Sequence, residues 1–474
     1  MICVADETIK DTSQLTYFIN LNFNGMKTLK VFVFLSLVIL AASCSKDLLI
    51  NQPDQISNQE NSLKCALPYM KIAVMSDIHY LDQSLLLNGA SQGAAFQTYL
   101  GSDPKLIEFS DPILKKAISE IVAAKPDILL IPGDLTKDGE KVSHKAVAKF
   151  LRQISNHGIK VFVIPGNHDI NNPEAVVYNG NNSSPAPSIS ANDFANIYSD
   201  FGYKNAISRD YNSLSYICEP FNKIWILGID DCKYYLNGKS AIVGGVIKKG
   251  TMKWIHDRLA EAKKKNITVL AMMHHGIVEH YAGQQALDPG YVTDNWESNA
   301  DALINAGLRV MFTGHYHAND ITMRANGNNV LFDIETGSLV TPPSPFRIIT
   351  MDPNNLSIDT RHITSIDATI PAGLDFVTYS NMFLSAHLDG IFTYMLSLPP
   401  YNVPSEYIAD IAPLFRNAMM AHYAGDEHIT PEEQAKDDYI GQLSAQLGLA
   451  LNSLWSDFAP SDNHYAIDLR KKLK

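Results

Sequence analysis

Six short apolar runs, each ended by Asp, Asn or His, constrain this chain more than any other feature of its sequence. They read "KIAVMSDIH" from Lys71, "DILLIPGDLT" from Asp127, "VFVIPGNHD" from Val161, "IWILGIDD" from Ile224, "ITVLAMMHHG" from Ile267 and "VMFTGHYH" from Val310. Continuous apolar strands of this kind suit a sheet covered on both faces. Between them lie helix-like segments. "SDPILKKAISEIVAAK" has Asp111 as its expected N-cap and Pro112 as its first helical residue. "EKVSHKAVAKFLRQISNHG" stops at Gly158, and "KGTMKWIHDRLAEAKKKN" has amphipathic spacing. Strands alternating with helices predict an α/β layered domain.

Nearly every run delivers its polar residues at the carboxyl end of the strand, where open α/β sheets bind ligands. That convergence predicts one site built from Asp77, His79, Asp134, Asn167, His274, His315 and His317. In "GHYH" an extended backbone would place His315 and His317 on one face. Carboxylate and imidazole donors without thiolates suit Mn, Fe or Zn. Seven donors exceed what one ion with an open position takes. They suit two ions sharing a carboxylate, a device for in-line displacement at phosphorus.

The blocks D-x-H, G-D, G-N-H-D, H and G-H-x-H, in this order, resemble the calcineurin-like metallophosphoesterase superfamily over roughly residues 70–340. The resemblance implies a layered β-sandwich flanked by helices and two divalent ions, Mn, Fe or Zn. It assigns Asp77, His79, Asp134 and His317 to one ion. Asp134, Asn167, His274 and His315 go to the other, with Asp134 bridging. His168 becomes a non-ligand acid with Asp169 orienting it, and His275 is directed elsewhere. The implied reaction is phosphoric ester hydrolysis by attack of a metal-bridging hydroxide.

Departures from sub-patterns prune the branches that the resemblance allows. Purple acid phosphatases carry a Tyr three positions after the bridging Asp, where this chain has Lys137. Ser/Thr protein phosphatases continue the second block into Asp-Arg-Gly, whereas this chain reads "GDLTKDGE". What remains is an exported phosphodiesterase or phosphomonoesterase. The motif blocks themselves carry no arginine, and Arg324 and Arg347 are the candidates to clamp a dianion. Small diesters are therefore expected ahead of nucleotide or sugar monoesters, and the resemblance to exported bacterial phosphohydrolases related to cyclic-nucleotide phosphodiesterases implies cyclic nucleotides among them. A surface binding lipoprotein with a docking helical module is the reading of another class. The remaining histidines, among them His144, His280 and His422, stand in surface-like or isolated contexts and carry no assignment.

The N-terminal stretch from Met26, "MKTLKVFVFLSLVILAASCSKD", has a basic start, an apolar run and small residues before Cys44. It resembles a bacterial lipoprotein signal. Residues 1–25 are expected to precede the true start, 26–43 to form the signal and 44–68 a tether. Residues 69–370 are expected to form the catalytic domain and 371–474 a small helical domain, since the stretch from Asp375 lacks strand runs. Lipidated Cys44 would bind a membrane, periplasmic or outer-membrane associated. A net charge of -12 opposes a grip on duplex nucleic acid. Residues 171–192, rich in Asn, Ser and Pro, read as one long loop beside the site. Cys65, Cys218 and Cys232 form no disulfide framework, although Cys218 and Cys232 lie in neighbouring strand-like segments. Nothing in the sequence sets the oligomeric state.

Overall fold

The computed structural model describes residues 69–469. The expected leader, Cys44, Cys65, the tether and residues 1–25 lie outside the described residues. All six apolar runs form strands, divided between two sheets. In the first, Met70–Val74, Ile128–Ile131 and Lys160–Val163 run parallel. Pro345–Met351 and Asn355–His362 extend it antiparallel, around an Asp-Pro-Asn-Asn turn. In the second sheet, Ile224–Ile229, Thr268–Met273, Val310–Thr313 and Asn329–Glu335 are mutually parallel.

Strand alternation explains the layering. Ile224 and Ile226 join the core that holds Ile72, Val74 and Leu130 of the first sheet. Trp225, Leu227 and Ile229 face the other way, onto Ile255 and Leu259 of helix Lys249–Lys265 and Leu303 of helix Trp296–Ala306. Successive side chains point to opposite faces, so a strand apolar throughout feeds two cores. Helices Ser110–Ala124 and Lys141–Ser155 pack into the first core through Ile113, Ala117, Val147 and Leu151. A sheet pair flanked by helices is the architecture the sequence predicts.

Four local expectations are corrected. Helix Ser110–Ala124 begins two residues early, with Phe109 at the N-cap. Asp111 sits in the first turn, where the helix dipole favours an anion, and binds Lys115 at 2.6 Å. Residues 171–192 are not one loop: Val176–Asn179 and Asn182–Pro185 pair antiparallel about Gly180, whose φ is 56°, and Leu86–Leu87 adds a third strand. The two-residue loop Gly180-Asn181, with glycine in the first central position, suits such a hairpin. Beyond Asp375 come helices Phe376–Ser397, Ser405–Ala424, Pro431–Leu443 and Ala445–Leu454. The chain then returns as strand His464–Asp468, pairing with Asn355–His362 at the edge of the first sheet. "HYAID" is too short and polar to announce a strand, and only that tertiary pairing makes it one. Finally, His144, His280 and His422 are buried rather than surface residues.

The helical extension rests on the catalytic layers through Leu384, Leu388, Phe415 and Ala418, packed with Tyr281, Tyr316 and Ala318. Cys218 and Cys232 are buried free thiols. Among the described residues no helix is long and apolar enough to cross a membrane.

Candidate metal centre

The seven predicted donors come together where the two sheets meet at their strand ends. The strand ending at Val74 leads to Asp77 and His79, that ending at Ile131 to Asp134, and that ending at Val163 to Asn167. From the second sheet, the strands ending at Met273 and Thr313 lead to His274 and to His315 and His317. The backbone pays for this convergence: Asp77, His79, Asp134, His315 and His317 all have positive φ, at 50°, 41°, 46°, 81° and 69°. Non-glycine residues rarely adopt this conformation outside sites where surrounding structure enforces it.

Two donor groups share one carboxylate. In the first, His79 Nε2 lies 3.2 Å from His317 Nε2 and 3.7 Å from Asp134 Oδ2. His317 Nε2 lies 3.5 Å from Asp77 Oδ1. In the second, His274 Nε2 lies 3.0 Å from Asn167 Oδ1 and 3.5 Å from the same Asp134 Oδ2. His315 completes that group, its nearest ligand atom within 4.8 Å of those of Asp134 and His274. Donors held by one ion at bond lengths of about 2.1 Å stand about 3.0–3.4 Å apart, so both groups suit a divalent ion.

Neighbouring groups fix three of the four rings. His274 Nδ1 is 2.8 Å from the Pro132 carbonyl, His317 Nδ1 is 3.1 Å from Thr341 Oγ1 and His315 Nε2 is 3.1 Å from the Gly290 carbonyl. Such outer partners leave the other nitrogen bare for a ligand. His275 turns away, its nitrogens held by Asp231 Oδ1 at 3.0 Å and the Val243 carbonyl at 2.7 Å. Burial drives the His79 and His315 imidazolium forms well below their usual range. At His274 burial acts the same way, but the Asp134 carboxylate overcomes it and lifts the pKa to about 10. A ligating ion would have to expel that proton.

The split of "GHYH" between the two groups is the one the resemblance implies, but its geometry is not the extended one expected. Both histidines sit in a left-handed turn, where period-two alternation does not apply.

His168 stands over Asp134, with Nε2 4.0 Å from Asp134 Oδ2 and its side chain 22% exposed. Its orienting residue is Asp138, not Asp169: His168 Nδ1 meets Asp138 Oδ1 at 2.9 Å. Asp169 instead accepts from Gly166 N, Leu135 N, Thr136 N and Thr136 Oγ1 at 2.9–3.1 Å, clamping the Asp134 and Asn167 loops together. Burial pulls the His168 imidazolium down, but Asp134 and Asp138 outweigh it and raise the pKa above its ordinary value.

Two residues were missed in the sequence. Asp138 follows Asp134 by four positions in "GDLTKD", a spacing that carried a visible carboxylate signal. Lys105 carried none. It is buried, pairs with Asp103 at 3.2 Å, and its charge reaches both His79 and His168. Of the candidate arginines, Arg324 is bound to Asp301 at 2.8 Å, and Arg347 is buried against carbonyl groups of Glu335, Asp320 and Asp462. Tyr80 and Tyr316 are buried, hydrogen-bonded to Asp111 and Asp288.

Comparison with known proteins gives short sequence matches. A "Probable cyclic nucleotide phosphodiesterase" of Vesicomyosocius okutanii is 44% identical over 68 residues, 14% of this chain and 28% of that protein. One of the same name from Ruthia magnifica is 41% identical over 68 residues, again 14% of this chain and 28% of that protein. The chain thus spans less than a third of the length of either relative. A dimetal phosphatase from Danio rerio aligns in structure over 62% of this chain and 96% of its own, at 14% identity and a TM-score of 0.44. The family model for calcineurin-like phosphoesterases matches residues 70–319, from the first strand through "GHYHAN", and the chain belongs to that family.

Proposed function

We propose that the chain is a metal-dependent phosphoric ester hydrolase, and within that class a phosphodiesterase of small diesters, cyclic nucleotides among them. The observation that carries this reading is Asp134 Oδ2, 3.7 Å from His79 Nε2 on one side and 3.5 Å from His274 Nε2 on the other. Asp77, His79, Asp134 and His317 would hold one divalent ion, and Asp134, Asn167, His274 and His315 a second. Bound there, the pair would supply Lewis acidity toward phosphoryl oxygens and lower the pKa of the attacking water.

The chain's own residues do the rest. Asp138 accepts from Nδ1 of His168 and, with Asp134, favours its imidazolium form, whose Nε2–H proton would go to the departing alkoxide. Lys105, itself paired with Asp103 at 3.2 Å, brings one positive charge within reach of this acid. One cation, with Arg324 and Arg347 engaged elsewhere, suits a monoanionic diester better than a dianionic monoester. The two short matches, to proteins named probable cyclic nucleotide phosphodiesterase, lend the cyclic diester its support. The leader motif supports an exported protein anchored through Cys44, periplasmic or outer-membrane associated. Mass spectrometry of the mature form would find a lipidated Cys44 at its N-terminus, and an intact Met1 would refute the anchor.

The test is a panel: protein loaded with Mn, Fe or Zn against a nitrophenyl monoester, a bis-nitrophenyl diester, and 2′,3′- and 3′,5′-cyclic nucleotides. Faster turnover of the diesters is expected. Faster turnover of the monoester would replace the diester reading, and inert protein under all three metals would overturn the enzyme.

A further inference from the structure

A second cluster of ligand-type side chains lies away from Asp134, where the helical extension meets the catalytic layers. His280 follows the His274 loop, Asp320 follows "GHYH", and Glu335 ends the strand Asn329–Glu335. His422 comes from helix Ser405–Ala424 and Glu427 from the turn beyond it. All five are buried, none more than 7% exposed. Ligand atoms of His280, Asp320 and His422 lie within 4.8 Å of one another.

The polar atoms here are not satisfied by the protein. His280 Nδ1 and Nε2, Asp320 Oδ1, both Glu335 carboxylate oxygens, His422 Nε2 and Glu427 Oε2 all lack a hydrogen-bond partner. His280 Nε2 approaches Glu335 Oε2 to 2.9 Å, yet without hydrogen-bond geometry. His422 Nδ1 touches Glu427 Oε1, which leaves its Nε2 to the cluster. Buried polar groups are almost always paired, and orphans gathered at one point are rarer still. Arg347, the buried cation alongside, commits its N–H groups to carbonyl oxygens and Thr360 Oγ1 rather than to these carboxylates.

Protonation alone does not resolve the cluster. Burial, and then the repulsion of neighbouring carboxylates, pushes the Asp320 and Glu335 carboxyls well above their usual range, and burial drives His280 down to about 4. That arrangement is electrically quiet but still leaves the orphaned atoms facing one another. A divalent ion would accept neutral imidazole and ionised carboxylate donors together, and would offset the buried negative charge.

We propose that His280, Asp320 and His422, with Glu335 and Glu427 beside them, form a third metal site for a divalent ion of the zinc or manganese class. The donors are enclosed, as in structural rather than catalytic sites. The ion joins His422 and Glu427 of the extension to His280, Asp320 and Glu335 of the catalytic layers, so it staples the helices in place.

The test is anomalous diffraction at the metal edge on crystals of the full chain grown with ZnCl2 or MnCl2. A peak between His280, Asp320 and His422, besides those at Asp134, is the expected result. Peaks at Asp134 alone would overturn this site and leave the hydrolase reading standing; no peak at either place would overturn both. In solution, His422→Gln should lose about one equivalent of zinc per chain relative to wild type after loading and dialysis. An unchanged metal content in that variant, or in His280→Gln if His422→Gln does not fold, would also overturn it.

Discussion

Asp138 Oδ1 lies 2.9 Å from His168 Nδ1, and Lys137 pairs with the other oxygen of the same carboxylate. The three residues form a chain in space: buried cation, buried anion, then the partly exposed imidazole that faces Asp134. Burial acts to raise the Asp138 carboxyl, but Lys137 and His168 hold it down at about 2. It is therefore ionised wherever the enzyme works, and it favours the protonated form of His168.

Asp138→Asn removes that charge, so the His168 pKa should fall. Because the protonated imidazole is the acid, the alkaline limb of kcat/KM should move to lower pH, by about 1 unit. His168→Ala should cost about 10²–10⁴-fold on alkyl leaving groups and far less on nitrophenolate, which needs no proton. Equal losses on both leaving groups, read from steady-state rates, would remove His168 from the acid role.

Lys105→Met should act in the opposite sense on the same limb. Lys105 lowers the pKa of His168, so its removal should carry the alkaline limb to higher pH. If Lys105 also holds the phosphodiester, KM should rise about 10-fold while kcat changes less. A pH profile that stays put together with an unchanged KM would show that Lys105 only anchors Asp103.

Asp169 links pH to stability. Burial, then the charge of Asp134, pushes its carboxyl up to about 7 in the fold, against about 4 in the unfolded chain. A raised folded pKa means that its stabilisation is fully present below about pH 4 and is lost as pH rises through about 7. Chelator-treated wild type should therefore lose Tm across that window. Asp169→Asn should flatten this part of the slope and lower stability at pH 5 by about 3 kcal/mol, because its amide turns donors toward the N–H groups of Leu135 and Gly166. Parallel Tm profiles for the two proteins would refute the assignment.

The strands and the seven donors were legible because each lies in a local pattern: an apolar run, then a carboxylate, amide or imidazole at its end. What was illegible depends on contacts across the chain. Nothing near Asp169 in sequence says that it faces backbone N–H groups while Asp138, thirty positions away, reaches His168. His422 looked isolated, yet it continues the buried helical stripe of Ile411, Phe415 and Ala418. The "GHYH" donors are legible from their identity but not from strand alternation, because positive φ at His315 and His317 bends the segment.

Gly166→Ala is the sharpest test of the shared carboxylate. A Cβ at Gly166 would collide with Asp134 Oδ1, Cγ and backbone N, so the carboxylate must move. Asp134 Oδ2 serves both donor groups, so one displaced side chain should weaken both ions together. Metal content should fall at both positions and activity by at least about 10²-fold, with the far-ultraviolet circular dichroism of the wild type retained. Gly390, inside helix Phe376–Ser397, has nothing within 4 Å of the same added atom. Gly390→Ala should gain about 0.4–1 kcal/mol and leave metal content and turnover alone. Full metal content in Gly166→Ala would mean that the two ions do not depend on Asp134.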